Sequence, residues 1–431
     1  MRNMLQPRVI PLLISALAFS GSAGAAGFQL MEQNGSGLGT AYAGQAAVAE
    51  DASTIYFNPA GMTLLSGTHN ISAVGTLISR SSRFTDQGTT PMPVINPLTG
   101  APTGAFHPLG DSGGNGGGAH AVPAIYYAYA LAPDWRLGLG IGPTFADETE
   151  YDSTFVGRFS GQKTRIRHIN VNPSVAYRVN ERLSLGVGVD YVVSKIEFTQ
   201  ATPYVGAPVG RLKGDGRAWG YNAGLMYQLD EATRLGVSYR SKVKVDLDGT
   251  QTVPGLVDRS ITASIETPDT LSVALQHKLN ERWTLLGDYS WTGWSSLQTL
   301  APKVAANGAA ATAPLRYNFK DTWRVGVGAT WQYNQDWKLR AGTAFDKNPI
   351  PDDASRTMTV PDADRIWLAF GAKWAVAPNT SLDFGYAHLF LKDTHTARAV
   401  TNTAETVTLQ TVRGKFENSV DLLSVQLNYA F

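Results

Sequence analysis

The sequence predicts an all-β fold: a fourteen-stranded antiparallel transmembrane β-barrel with an N-terminal hatch inside the lumen. Three observations carry this. Large apolar residues alternate with small or polar ones at period two, short polar turns alternate with long loops, and aromatic residues gather beside the short turns. Composition agrees. Only 16% of the 431 residues are charged, well under the roughly 25% usual in soluble domains, so surface charge is not what keeps this chain in its solvent. A formal net charge of +1 offers no counterion-release term and excludes a nucleic-acid partner. With no cysteine, disulfides, thiolate metal sites and Cys nucleophiles are excluded.

The first element is a signal peptide over residues 1–25. Arg2 and Arg8 precede an uncharged apolar run from Val9 to Phe19, and Ala23-Gly24-Ala25 supplies an A-x-A cleavage signal. Beyond it, no uncharged apolar run approaches the roughly 18 residues a spanning helix needs. An exported chain of this kind either stays soluble or crosses a membrane as strands.

Residues 26–66 do not alternate. Gly35, Gly37, Gly39 and Gly44 interleave with small residues, 41–52 suits a short helix, and Pro59 follows Asn58. A compact small-residue segment of this size fits the lumen of a fourteen-stranded barrel as a plug.

Residues 67–431 supply the barrel. Trp135, Leu137, Leu139, Ile141, Pro143 and Phe145 alternate with Arg136, Gly138, Gly140, Gly142 and Thr144, which reads as a strand with one apolar and one small or polar face. The pattern recurs from Ile169 to Val179, from Leu183 to Tyr191 and from Leu423 to Phe431. Short turns fall at 132–134, 180–181, 230–231, 280–281, 334–335 and 378–379. Long loops are expected near 81–119, 148–163, 198–216, 248–265, 299–315, 347–363 and 393–415. Strict alternation of the two kinds joins fourteen strands and puts every long loop at one end. Trp135, Tyr177, Tyr227, Trp283, Trp331, Tyr333, Trp337 and Trp374 lie beside short turns and form an interfacial girdle there. A soluble β-sandwich would also alternate, but faces so Gly-rich and weakly charged make a poor soluble surface.

On these residues the chain resembles the FadL family of outer-membrane long-chain fatty acid and hydrophobic-compound transporters. Ala26-Gly27-Phe28-Gln29-Leu30, Gly37-Leu38-Gly39, and Asn58-Pro59-Ala60-Gly61-Met62 are similar to that family's hatch. The stretch Phe319-Lys320-Asp321-Thr322-Trp323-Arg324, with Pro361-Asp362-Ala363-Asp364-Arg365, is similar to its late-strand signatures. Phe431 fits an outer-membrane assembly signal. The resemblance implies passive uptake of hydrophobic molecules through a hatch-closed barrel, with lateral release at a kink in the third strand into the outer-membrane lipid. It implies no cofactor, and a monomer is expected.

Pro143 gives that kink a physical reason. It cannot donate a ladder hydrogen bond, so with Gly142 it marks a bulge or bend in the third strand, or else simply the start of a loop. If the family geometry holds, Asn58, Pro59 and Ala60 gate the hatch beside that opening. Candidate ligand contacts are Arg158 and Lys320 as cations for a carboxylate, each equally readable as a solvated loop charge, and Phe28 and Leu30 at the mature N-terminus. The seven histidines show no metalloprotease spacing, and neither a nucleophile elbow nor a phosphate loop is present, so neither enzyme chemistry nor a metal is expected. Rival readings are an aromatic-hydrocarbon channel of the same fold, an open porin and a barrel hydrolase.

Overall fold

In a bilayer every backbone N–H and C=O must find a partner inside the protein, which leaves a closed barrel as the way for alternating strands to cross. A computed structural model describes residues 27–431; the expected signal peptide falls outside the described residues. Fourteen barrel strands follow in order: β1 His69–Asp86, β2 Gly118–Ala132, β3 Trp135–Glu150, β4 Lys163–Arg178, β5 Leu183–Ala201 and β6 Val209–Gln228. Then come β7 (Thr233–Arg240 and Val243–Val253), β8 (Val257–Thr267 and Thr270–Lys278), β9 Trp283–Thr292, β10 Thr322–Gln332 and β11 Trp337–Asp346. β12 Arg365–Ala377, β13 (Thr380–Leu391 and Thr394–Thr401) and β14 Thr408–Ala430 complete the wall. Neighbours pair antiparallel, and β14 closes on β1 from Asn70 opposite Ala430 to Asp86 opposite Gly414.

All six expected short turns are present. The long loops are reduced in three places. Strands β5 and β6 run through most of 198–216 and leave 202–208 as the connection, β7 and β8 meet across 254–256, and β13 and β14 across 402–407. The residues taken for loops there are polar on both faces because the hairpins project beyond the lipid, where a strand no longer needs an apolar side.

On the short-turn side, rings pair across strands: Trp135 with Tyr177 (4.5 Å), Trp283 with Trp331 (5.7 Å) and Trp337 with Trp374 (5.7 Å). The structure adds a second girdle on the long-loop side, where Tyr191 meets Trp219 (4.7 Å) and Trp323 meets Phe345 (5.3 Å). Trp219, Trp291, Trp323 and Phe345 each lie eight residues along the strand from a ring of the first girdle, or about 27 Å of strand. Tilted by about 40°, that spans about 21 Å of the membrane normal, a little under the apolar band of about 25 Å typical of such barrels.

Residues 27–65 lie inside this wall. Short helices Gly35–Leu38, Gln45–Val48 and Thr54–Phe57 lead into a 3₁₀ turn Pro59–Leu64 whose start is capped by Asn58. Leu38, Tyr42, Ile55 and Met62 are fully buried, so the hatch fills the lumen as a packed body. With no native cysteine, the topology is directly testable. A cysteine at Gly255 should react with a membrane-impermeant maleimide on intact cells, and one at Asn280 should react only after the outer membrane is permeabilised.

Candidate functional site

Among the described residues, the β2–β3 seam opens and is not rejoined farther out. From the short turn outward, β2 and β3 pair as far as Ile125 opposite Ile141, and among the described residues no pairing between them continues beyond that point. Two residues farther along the same register, Pro123 would stand opposite Pro143. Neither proline can donate to a ladder, so the ladder ends where both partners lack the donor. Past this point β2 stays with β1 and β3 stays with β4. On the β4 side the register slips by one residue at Thr144, a bulge that turns the rest of β3 inward. Every residue from Gly142 to Thr149 is buried, so the alternation of exposure stops there.

The freed edge of β3 is completed from inside by the N-terminal segment. The Leu30 N–H donates to Thr144 O and the Ala146 N–H donates to Phe28 O, both at 2.9 Å, with Gln29 opposite Phe145 in antiparallel sense. The Gly27 N–H is held by Asp362 Oδ2 at 2.7 Å. Two side chains frame the opening. Gln33 donates from Nε2 to Pro143 O (2.6 Å) and accepts from the Tyr126 hydroxyl on β2 (2.8 Å), so one buried amide spans both lips. Farther out, Arg80 of β1 forms an ion pair with Asp147 of β3 at 3.0 Å. Sequence reasoning picked out Pro143 and Gly142 but missed Pro123, Gln33 and Tyr126. The signal for Pro123 was present, since a proline inside an alternating run marks an edge as surely as Pro143 does.

Phe28 and Leu30 divide the lumen. Phe28 packs edge-on against Trp294 (5.1 Å) and Phe145 (6.1 Å) and belongs to an apolar cluster that includes Ile196, Leu247 and Phe319. That cluster continues into a slot lined by Phe198, Leu212, Ile261, Ala263 and Leu300 beneath the outer hairpins. Leu30 faces the other way, into a cluster with Ile78, Val122, Ala146 and Trp367 behind the seam. Below the Phe28 side, a small cavity of about 80 Å³ is lined by Tyr56, Phe57, Arg240 and Arg324 among others.

The two candidate cations are not brought together. Arg158 is buried and its guanidinium is spent on loop carbonyls, those of Leu109 (2.8 Å), Phe155 (2.9 Å) and Pro108 (2.5 Å), with the Phe159 ring 4.6 Å away. Lys320 is exposed, next in the chain to the buried Phe319, and its backbone N–H donates to Pro349 O (2.9 Å).

Asn58, Pro59 and Ala60 lie across the barrel wall at β5–β7, not beside the seam. The Asn58 amide donates to Ala46 O (2.7 Å) and to Leu225 O on β6 (3.0 Å), and its Oδ1 accepts the Ala60 N–H (3.1 Å). The reason is local. Gly186 and Gly224 leave the wall bare, and a Cβ at either would collide with Pro59–Ala60 or with the Asn58 side chain, so the turn docks where backbone can approach backbone. Met62, a few residues on, does reach β3 at Gly138.

The hatch has little regular structure, so its carbonyls need partners from the wall. Arginines provide them: Arg324 donates to Ala41 O, Arg240 to Tyr56 O (3.1 Å), Arg178 to Thr63 O and Arg136 to Leu65 O (3.3 Å). The strongest anchor is ionic. Arg340 bridges Asp383 (2.5 Å) and the hatch residue Glu50 (2.7 Å), and Lys338 holds the other Glu50 oxygen (2.9 Å). Burial opposes ionisation of Glu50, but Lys338, Arg340 and Lys373 outweigh it and hold the carboxyl well below its ordinary range.

A barrel with two aromatic girdles, a packed hatch and a seam in the wall defines an outer-membrane transport barrel. The chain belongs to the outer membrane protein transport protein family (OMPP1/FadL/TodX), whose pattern matches residues 16–431. It is 31% identical to outer membrane protein P1 of Haemophilus influenzae, over 97% of this chain and 98% of that one. It is 28% identical to a long-chain fatty acid transport protein of Escherichia coli O6:H1, over 88% and 90%. Among solved structures, a Pseudomonas aeruginosa FadL homologue superposes with a TM-score of 0.83 at 22% identity, covering 94% of this chain and all of that one. The toluene transporter TodX of Pseudomonas putida gives 0.68 at 17% identity, over 92% and 98%. The protein is therefore an outer-membrane protein, from a family that transports hydrophobic compounds.

Breaking one partner of a buried ion pair costs roughly 3–5 kcal/mol, because the other charge is left uncompensated. Arg340→Met, which strands Asp383 and leaves Glu50 to Lys338 alone, should loosen the hatch while the barrel still assembles. The expected readout is a rise in ion conductance in planar bilayers above that of the parent protein. A variant as quiet as the parent would count against this anchor.

Proposed function

We propose that the protein takes up long-chain fatty acids passively, as a monomer, and releases them sideways into the outer-membrane lipid through the seam between β2 and β3. The observation that carries this reading is the position of the Phe28–Leu30 segment. It is held by two backbone hydrogen bonds to the bent edge of β3, and it separates the apolar cluster reached from the outer hairpins from the one behind the seam. Two such bonds are worth about 1 kcal/mol each, so displacement by a ligand that fills the Phe28 side is within reach of binding energy.

An apolar slot suits an acyl chain, since each buried methylene contributes ~0.8 kcal/mol. Curated relatives named as long-chain fatty acid transport proteins support the same substrate class. Lys320, exposed beside Phe319 at the mouth, is the cation that meets the carboxylate, while Arg158 holds the first and second long loops together. A second reading, aromatic hydrocarbons, is favoured by the ring-lined stretch of Phe28, Phe145, Trp294 and Phe319.

Two measurements test the reading. Lys320→Met should weaken binding of oleate about tenfold and leave toluene unchanged; equal effects on both would point to the hydrocarbon reading or to loop damage. Replacing Pro123 and Pro143 together by valine restores both ladder donors. Delivery of labelled oleate into the bilayer of proteoliposomes should then fall at least tenfold, with normal heat-modifiable mobility as the check on folding. Undiminished delivery would exclude the seam as the exit.

A further inference from the structure

The first charged residue met on each strand, moving outward from the lipid-facing band, sorts the wall into two regions. On the five strands β10–β14 it alternates in sign: Asp321, Lys347, Asp364, Lys392 and Asp421. On the four strands β4–β7 it is a cation every time: Arg167, Lys195, Arg217 and Lys242. The exterior phase is set by the buried partners, since Ile166 and His168, Ser194 and Ile196, and Val243 turn inward on these strands.

We propose that this run is a docking belt for the phosphate groups of an outer-leaflet glycolipid. Its height is right. Arg217 is one exterior step beyond Trp219, and Lys195 is two beyond Tyr191. Those two rings meet at 4.7 Å in the outer girdle and mark the boundary between acyl chains and headgroups. Its charges are available. Among the described residues Lys195 and Arg217 make no ion pair, Arg167 approaches Glu148 at 3.8 Å, and Lys242 reaches Glu266 at 3.2 Å. Arg167 also stands directly opposite Lys195 in the β4–β5 register, with Arg217 on the next diagonal. Like charges directly opposite on a sheet face are destabilising, and a phosphate dianion between them turns that cost into two charge-assisted contacts. On β6 and β7 the acids Asp215 and Asp246 lie one exterior step farther out than Arg217 and Lys244; Asp215 stands opposite Lys195 in the β5–β6 register without an ion pair to it, so Arg167 and Arg217 face the headgroups first and Lys195 shares its level with one acid.

The test uses the full mature protein in phosphatidylcholine nanodiscs at about 0.15 M salt, where exposed charges are screened beyond about 8 Å. Native mass spectrometry reads retained bis-phosphorylated lipid A, with dephosphorylated lipid A and inorganic pyrophosphate as separate arms. The parent should retain lipid A at least tenfold better than the dephosphorylated form, and millimolar pyrophosphate should fail to displace it. The variant R167Q/K195Q/R217Q should lose that preference, and K347Q/K392Q on the opposite wall should keep it. Equal retention by the parent of both lipids, displacement by pyrophosphate, or equal loss in both variants would overturn the proposal. Should the triple variant fold poorly, the parent's comparison of the two lipids still decides.

Discussion

A strand edge in lipid has nowhere to put its amides, and this constraint organises the protein. Along most of the wall each strand edge meets it with a neighbour's ladder, and the β2–β3 edge, once open, is never rejoined. There the opposed prolines 123 and 143 remove two donors, the bulge at Thr144 swings β3 inward, and the chain's own N-terminus becomes the missing strand. The opening is partly compensated: on the β3 edge released from β2, Thr144 O and the Ala146 N–H are taken up by Leu30 and Phe28. It also makes the wall's integrity depend on a short segment, which is how a gate differs from a defect.

The hatch obeys the same accounting around the rest of the lumen. Four short helical turns leave many carbonyls without partners, and wall arginines at 136, 178, 240 and 324 supply them. Glycines at 186 and 224 let the Asn58–Ala60 turn lie against β5 and β6. Anchored along β5–β7 and through Glu50 to β11, the hatch can stay in place while residues 27–30 move. A mobile N-terminal strand on a fixed plug suits passage sideways better than ejection of the plug.

Much of this was legible in the sequence. Period two, the six short turns and the inner girdle follow from apolar spacing and Asn/Asp/Glu punctuation alone, and Pro143 marked the bend. Loop lengths were not legible, because beyond the lipid a strand such as β6 carries Arg211, Lys213, Asp215 and Arg217 and looks like a polar loop. Pro123 was as visible as Pro143, a proline inside an alternating run, but that the two oppose each other was not, since that requires the β2–β3 register. Asn58-Pro59-Ala60 was placed beside the opening by resemblance, and the wall glycines put it elsewhere. Gln33 carried no signal at all: a glutamine between Glu32 and Asn34 becomes a strap only once both lips of the seam are in place.

The seam itself is the claim most exposed to a direct check. In the register of Ile125 and Ile141, Val122 would face Thr144, and the chain has no cysteine to confuse the result. Val122→Cys with Thr144→Cys should form no disulfide under mild oxidation, whereas Tyr127→Cys with Leu139→Cys, which are true partners, should cross-link readily. Bridging 122 and 144 with a longer bis-maleimide should then halt delivery of fatty acid to the bilayer. Spontaneous cross-linking of both pairs at similar rates would mean that the ladder is closed, and would contradict the account.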